Sequence, residues 1–238
     1  MSAARALLGA LVAAQVAHGR RPQPVRPAET RAILLLMLAA SAAEAHEARG
    51  RRGTAFLGVA GAVGLAAEVA GVATGRPFGR YAYSAKLGRR VVGVPPLAGA
   101  AWALMARPAW VAAGHVTRSR LRRVPVAAAA LAAWDVFLDP RMVADGYWTW
   151  EAGGRFAGVP ASNFAGWFGT GLALFAMAAP LDGDAPDQRD DGALAMYVWT
   201  WVGETIANAA LWGRPRVAAA GCAAMGAVAA PALARRLR

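Results

Sequence analysis

The chain has 238 residues, of which 57% are apolar and only 17% charged, with a mean hydropathy of +0.34. That is too apolar for an ordinary soluble domain and too short for several domains, which points to one integral-membrane domain over residues 1–238. The net charge of +12 invites a nucleic-acid reading, but the arginines fall in short clusters between apolar runs, where membrane proteins meet lipid head groups, so no nucleic acid is expected.

In chain order, apolar runs near the bilayer-crossing length of ~20 residues predict helices at roughly 4–18, 31–48, 54–73, 91–106, 124–139, 160–180, 193–212 and 217–234. The fold class expected is an all-α, polytopic transmembrane bundle of about 7–8 helices. The first run, Ala6 to Ala17, has a short basic start like a signal peptide, but no cleavage site followed by a soluble chain, and it is read as a membrane helix. Alanine and glycine dominate many runs, and such small side chains let helices pack closely in lipid. Lysine and arginine divide evenly between the two sides of the membrane, so the positive-inside rule sets no orientation.

The third helix carries Gly61, Gly64, Glu68 and Gly71 on one face, placing a carboxyl group where another helix can come close. Gly75 to Pro95, rich in Gly, Pro, Arg and Tyr and including Tyr81, reads as a structured interfacial loop. Arg107 to Arg123 opens with Pro108 and Trp110 and ends in several arginines, which suits a surface-lying helix or a basic loop. The fifth helix brings Asp135 and Asp139 to one face four residues apart, and Pro140 is expected to end it. Tyr147, Trp148, Trp150 and Trp167 follow, either as an interfacial belt or as rings lining a site. Of the acidic stretch Asp182 to Asp191, the cluster Asp187, Asp190 and Asp191 reads as a solvated turn. The seventh helix carries Thr200, Glu204 and Asn208 as a polar stripe that must face the bundle interior or water.

A carboxyl group inside a membrane is costly, so Glu68, Asp135, Asp139 and Glu204 need explaining. Each alone reads equally well as an interhelical hydrogen-bonding group; four in one small bundle point to a polar cavity. If Asp135 and Asp139 share a dry site, ionising both is unfavourable and one keeps its proton, which makes it a proton donor. If they face water, both ionise and decorate the interface. Their DxxxD spacing also resembles the magnesium-diphosphate motif of membrane prenyltransferases, but Ala132, Ala133 and Trp134 stand where that family carries an asparagine-aspartate pair. Cys222 is the single cysteine, and His18, His46 and His115 are scattered, so neither a thiolate cluster nor a di-iron centre is expected. No nucleotide or flavin fingerprint and no Ser-His-Asp pattern is present. Neither a cofactor nor a metal is expected.

The segments GRPFGRYAY (Gly75 to Tyr83), LGRRVVGVP (Leu87 to Pro95), DVFLDPRMV (Asp135 to Val143), GYWTW (Gly146 to Trp150) and GVPASNFAGW (Gly158 to Trp167) together resemble the integral-membrane carotenoid hydratases. That family includes the gamma-carotene 1',2'-hydratases and the bisanhydrobacterioruberin hydratases. The resemblance implies addition of water to the terminal double bond of an acyclic carotenoid end group, giving a tertiary alcohol without a redox cofactor. Residue by residue, Asp135 or Asp139 is the expected acid, with Glu68 and Glu204 positioning water or sharing the proton. Asn163 is expected to hold the water, and Tyr81, Trp148, Trp150 and Trp167 to line the substrate. The expected partners are an acyclic carotenoid, the bilayer of the cytoplasmic membrane, and other carotenoid-pathway enzymes. Two other functions fit the same residues: a Mg²⁺-dependent prenyl or carotenoid-chain transferase, and a non-enzymatic carotenoid-binding scaffold or transporter.

Overall fold

A computed structural model describes residues 2–21, 25–182 and 185–238. Among these residues eight α-helices succeed one another: α1 (Ala3–Gly19), α2 (Pro27–Arg49), α3 (Arg51–Thr74), α4 (Pro96–Val116), α5 (Arg120–Ala144), α6 (Ala161–Ala178), α7 (Asp191–Ile206) and α8 (Pro215–Arg236). Three of them are long and apolar enough to cross a membrane: α3, α6 with its 3-10 extension to Leu181, and α8. The fold is an all-α transmembrane bundle. Pro27, Pro96 and Pro215 open α2, α4 and α8, the position where proline's missing N–H has no helical partner to lose. Gly75 closes α3 in a left-handed conformation, φ 77°, that a side chain disfavours.

Small residues set the interhelical distances, as their abundance predicts. A Cβ on Gly64 of α3 would lie 2.1 Å from the Trp102 ring of α4, and one on Gly221 of α8 would lie 2.4 Å from Phe137 of α5. The large buried side chains Phe56, Trp102, Trp110, Phe137 and Phe175 fill the spaces between these contacts. Replacing Gly64 by Ala therefore forces α3 from α4 or turns Trp102. The expected loss is about 1–3 kcal/mol, the usual cost of overpacking, read as a lower unfolding temperature in detergent; an unchanged temperature would contradict the contact.

The structure departs from the sequence expectation in four places. The predicted surface segment after residue 106 is instead the second half of α4, and Arg107 and Pro108 lie inside the bundle. Arg107 tolerates burial because three acids from other elements surround it: Glu44 of α2 bonds its Nη1, Asp190 Oδ1 lies 2.5 Å from Nη2, and Asp182 Oδ1 lies 3.5 Å from Nε. The expected solvated turn accordingly splits. Asp187 stays largely exposed, whereas Asp190 is buried beside Arg107 and Arg49, and Gly183 and Asp184 lie outside the described residues. Pro140 does not end α5, which runs on to Ala144; one missing donor is tolerated in a helix held by its neighbours. Finally, α7 ends in a π-helical turn, Ala207–Leu211, where a plain α-helix to residue 212 is predicted.

The loop after α3, expected to be structured, contains a strand, as does the loop after α5. Strands β1 (Tyr81–Tyr83) and β2 (Trp148–Trp150) pair antiparallel, with Tyr81 opposite Trp150 and Tyr83 opposite Trp148. This ribbon joins the loop after α3 to the loop after α5. At the same end of the bundle the C-terminus of α1 meets α5, His18 Nε2 lying 3.0 Å from Arg141 Nη2.

Candidate active site

Alternation along a strand sends residues i and i+2 to the same face. Tyr81 and Tyr83 therefore point inward together, as do Trp148 and Trp150, while Ala82 and Thr149 are exposed. Beneath this face stand Glu68 in the last third of α3, Asp135 and Asp139 in the second half of α5, and Asn163 in the first turn of α6. All four are buried, Asp135 completely and the others at 2–5% exposure.

The two aspartates are joined through one amide. Asn163 Nδ2 donates to Asp135 Oδ2 at 2.7 Å and to Asp139 Oδ2. Asp139 and Asn163 line a cavity of about 30 Å³, and Asp135 stands behind them. Among the described residues Asp135 Oδ1 has no hydrogen-bond partner. A fully buried carboxylate oxygen without a donor is costly, and a proton held between the neighbouring carboxyl groups, or a water in the cavity, relieves that cost. A cavity of this size has room for one or two waters at ~15 Å³ each.

Glu68 lines the opposite wall and is satisfied differently. Tyr81 Oη and Tyr83 Oη both donate to its Oε2, the second at 2.7 Å, and Trp102 Nε1 donates to Oε1 at 3.0 Å. Burial, with Glu68 beside them, raises both phenols above their ordinary range, so they stay O–H donors. Three donors occupy both oxygens of this carboxyl group. The site therefore pairs an acid cluster short of donors with an acid well supplied with them.

The remaining wall is aromatic. Trp102 and Trp167 stack with centroids 3.8 Å apart, Trp134 meets Trp167 edge-on at 6.1 Å, and Tyr81 lies against Trp150 at 5.8 Å. Of the residues expected from sequence, Glu68, Asp139, Asn163, Tyr81, Trp148, Trp150 and Trp167 all line this one cavity, with Asp135 bonded to it through Asn163. The aromatic residues thus face inward as a lining. Glu204 lies elsewhere, on a neighbouring cleft bordered by an adjacent stripe of α5, where Asn208 Nδ2 donates to its Oε2 at 3.2 Å. Sequence reading missed Phe78, Tyr83 and Trp102. The YAY and WTW alternations were the available signal for Tyr83, and Gly64 one turn before Glu68 marked the place for a large ring.

Among the described residues no three His, Cys, Asp or Glu side chains are grouped to hold a metal ion. The Asn163 amide bridges the Oδ2 atoms of the two aspartates.

No solved structure matches the chain. The bisanhydrobacterioruberin hydratase of Haloarcula japonica is 32% identical over 154 residues, covering 57% of this chain and 50% of that protein. The chain thus spans about half the length of that curated relative. The family model for carotenoid biosynthesis proteins matches residues 29–228, a range that holds the whole cavity, and the chain belongs to that family.

Proposed function

We propose that the chain, as one integral-membrane domain, is a carotenoid hydratase that adds water to the terminal trisubstituted double bond of an acyclic end group. The observation that carries the reading is the buried Asp135–Asn163–Asp139 cluster, with its undersupplied carboxyl oxygen, facing a water-sized cavity. Asp139, which lines the cavity, gives its proton to the less substituted alkene carbon. The tertiary cation that forms at the other carbon is stabilised by the faces of Trp167 and its neighbours. Water held near Asn163 attacks that carbon and loses a proton to Asp139, which restores the acid. The sum is alkene plus water to tertiary alcohol. Oxidation state is unchanged across the molecule, so the chemistry requires no redox cofactor. Asp135 acts through Asn163 and Asp139 as a positioning residue. The name of the Haloarcula japonica relative, a hydratase, supports water addition, and the family membership supports a carotenoid substrate.

The test is expression in cells that accumulate lycopene or a related acyclic carotenoid, with mass spectrometry of the pigments. The expected product has gained the mass of one water per hydrated end. Gain of a prenyl unit would establish the transferase in its place, and unchanged pigment across several acyclic substrates would overturn the enzymatic reading.

A further inference from the structure

The cavity at the acid cluster has room for water and none for an isoprenoid end group, yet a larger space lies immediately beside it. A cleft of about 360 Å³ runs between α1, α2, α5 and α7. Leu34, Leu138 and Met142 line both spaces and so form a wall common to the two. Trp134 lines the cleft and at the same time meets the edge of Trp167 in the site. On α5 the residues Trp134, Leu138 and Met142 form one stripe at four-residue steps, adjacent to the stripe of Asp135 and Asp139. One helix thus presents its acids to the cavity and a row of large apolar side chains to the boundary.

The mouth of the cleft has its own signature. Val16 of α1 and Val202, Ile206 and Leu211 of α7 and its π turn line it and are exposed at 37–56%. In a membrane bundle such an apolar opening faces lipid. The π turn Ala207–Leu211 borders the cleft, and such turns recur in helices beside functional sites.

We infer that this cleft is the bed for the polyisoprenoid chain of the substrate, entered laterally from the bilayer, and that Leu34, Leu138 and Met142 form the gate through which the end group passes to Asp139. The inference rests on the hydratase reading for the identity of the site and goes beyond it in assigning the place of the chain. The occupant is a long apolar polyene because the cleft shares the wall of Leu34, Leu138 and Met142 with a site built for an alkene terminus and opens where such a molecule is dissolved. The gate explains how a cavity sized for water serves a large substrate: three flexible side chains rotate, and the bundle stays closed.

Gly203 of α7 lines the cleft, and a Cβ placed there meets nothing closer than 3.7 Å. Gly203→Phe therefore fills the cleft without displacing a neighbour at the backbone. Two readouts are taken on the full chain in detergent or liposomes: turnover of a long acyclic carotenoid relative to a ten-carbon acyclic terpene with the same end group, and long carotenoid retained by the purified protein. Gly203→Phe is expected to lower the long-to-short turnover ratio at least tenfold and to lower pigment retention. Val202→Trp, at the exposed mouth, is expected to do the same more weakly and guards against a folding defect in the first variant. A long-to-short ratio unchanged in both variants overturns the inference. So does loss of retained phospholipid with pigment retention intact, which would make the cleft a lipid groove. If wild-type protein hydrates neither substrate, the hydratase reading fails, while pigment retention still reports on the cleft.

Discussion

Asp139→Asn is expected to lower water addition by about 10²–10⁴-fold, the usual contribution of a positioned general acid, while the protein still inserts and packs. The substitution nearly preserves volume, and the amide oxygen can still accept from Asn163. What is lost is a proton that can be donated. Asp135→Asn should also lower turnover, because Asp135 shares Asn163 with Asp139 and two carboxyl groups around one amide hold a proton in place better than one. Because Asp135 acts through Asp139, its variant should change the pH profile of the residual activity as well as its size. Pigment analysis in carotenoid-accumulating cells, normalised to membrane-inserted protein, measures both. Wild-type turnover in the Asp139 variant would remove the proposed acid.

The second large effect is on stability. Arg107→Met is expected to destabilise the bundle by about 3–5 kcal/mol, the range for breaking a buried ion pair from one side. It leaves Glu44, Asp182 and Asp190 facing one another with Arg49 and the buried Arg123 to answer them, Arg49 Nη2 lying 2.5 Å from Asp190 Oδ2 and Nε 3.3 Å from Asp182 Oδ1. Unfolding in detergent, followed by tryptophan fluorescence, should shift accordingly, and adding Asp190→Asn should recover part of the loss. A shift equivalent to under ~1 kcal/mol would mean that the network does not hold α2, α4 and α7 together, because that is the scale of an exposed pair.

Much of the bundle was legible from hydropathy because lipid demands long apolar helices whatever their partners are. The common face of Asp135 and Asp139, and Glu68 among glycines, were equally legible, since helical spacing alone fixes them. Arg107 was misplaced because its burial depends on acids contributed by α2 and by the chain around the start of α7, which no local window contains. Tyr83 and Trp102 were missed for the same reason: the bond from Trp102 to Glu68 spans 34 positions, and the pairing of β1 with β2 depends on two loops finding each other. Glu204 shows the opposite limit. Its polarity in an apolar helix was plain, but only the packing of α7 against α8, α4 and α1 decides that it faces the cleft and not the acid cluster.

Surface loops usually accept insertions and deletions freely. The pairing of Tyr81–Tyr83 with Trp148–Trp150 reverses that expectation here. One residue added within either strand exchanges its inner and outer faces, withdrawing both tyrosines from Glu68 or both tryptophans from the cavity roof. Over these two stretches chain length is held as tightly as residue identity, and drift in loop length among related chains has to fall outside them.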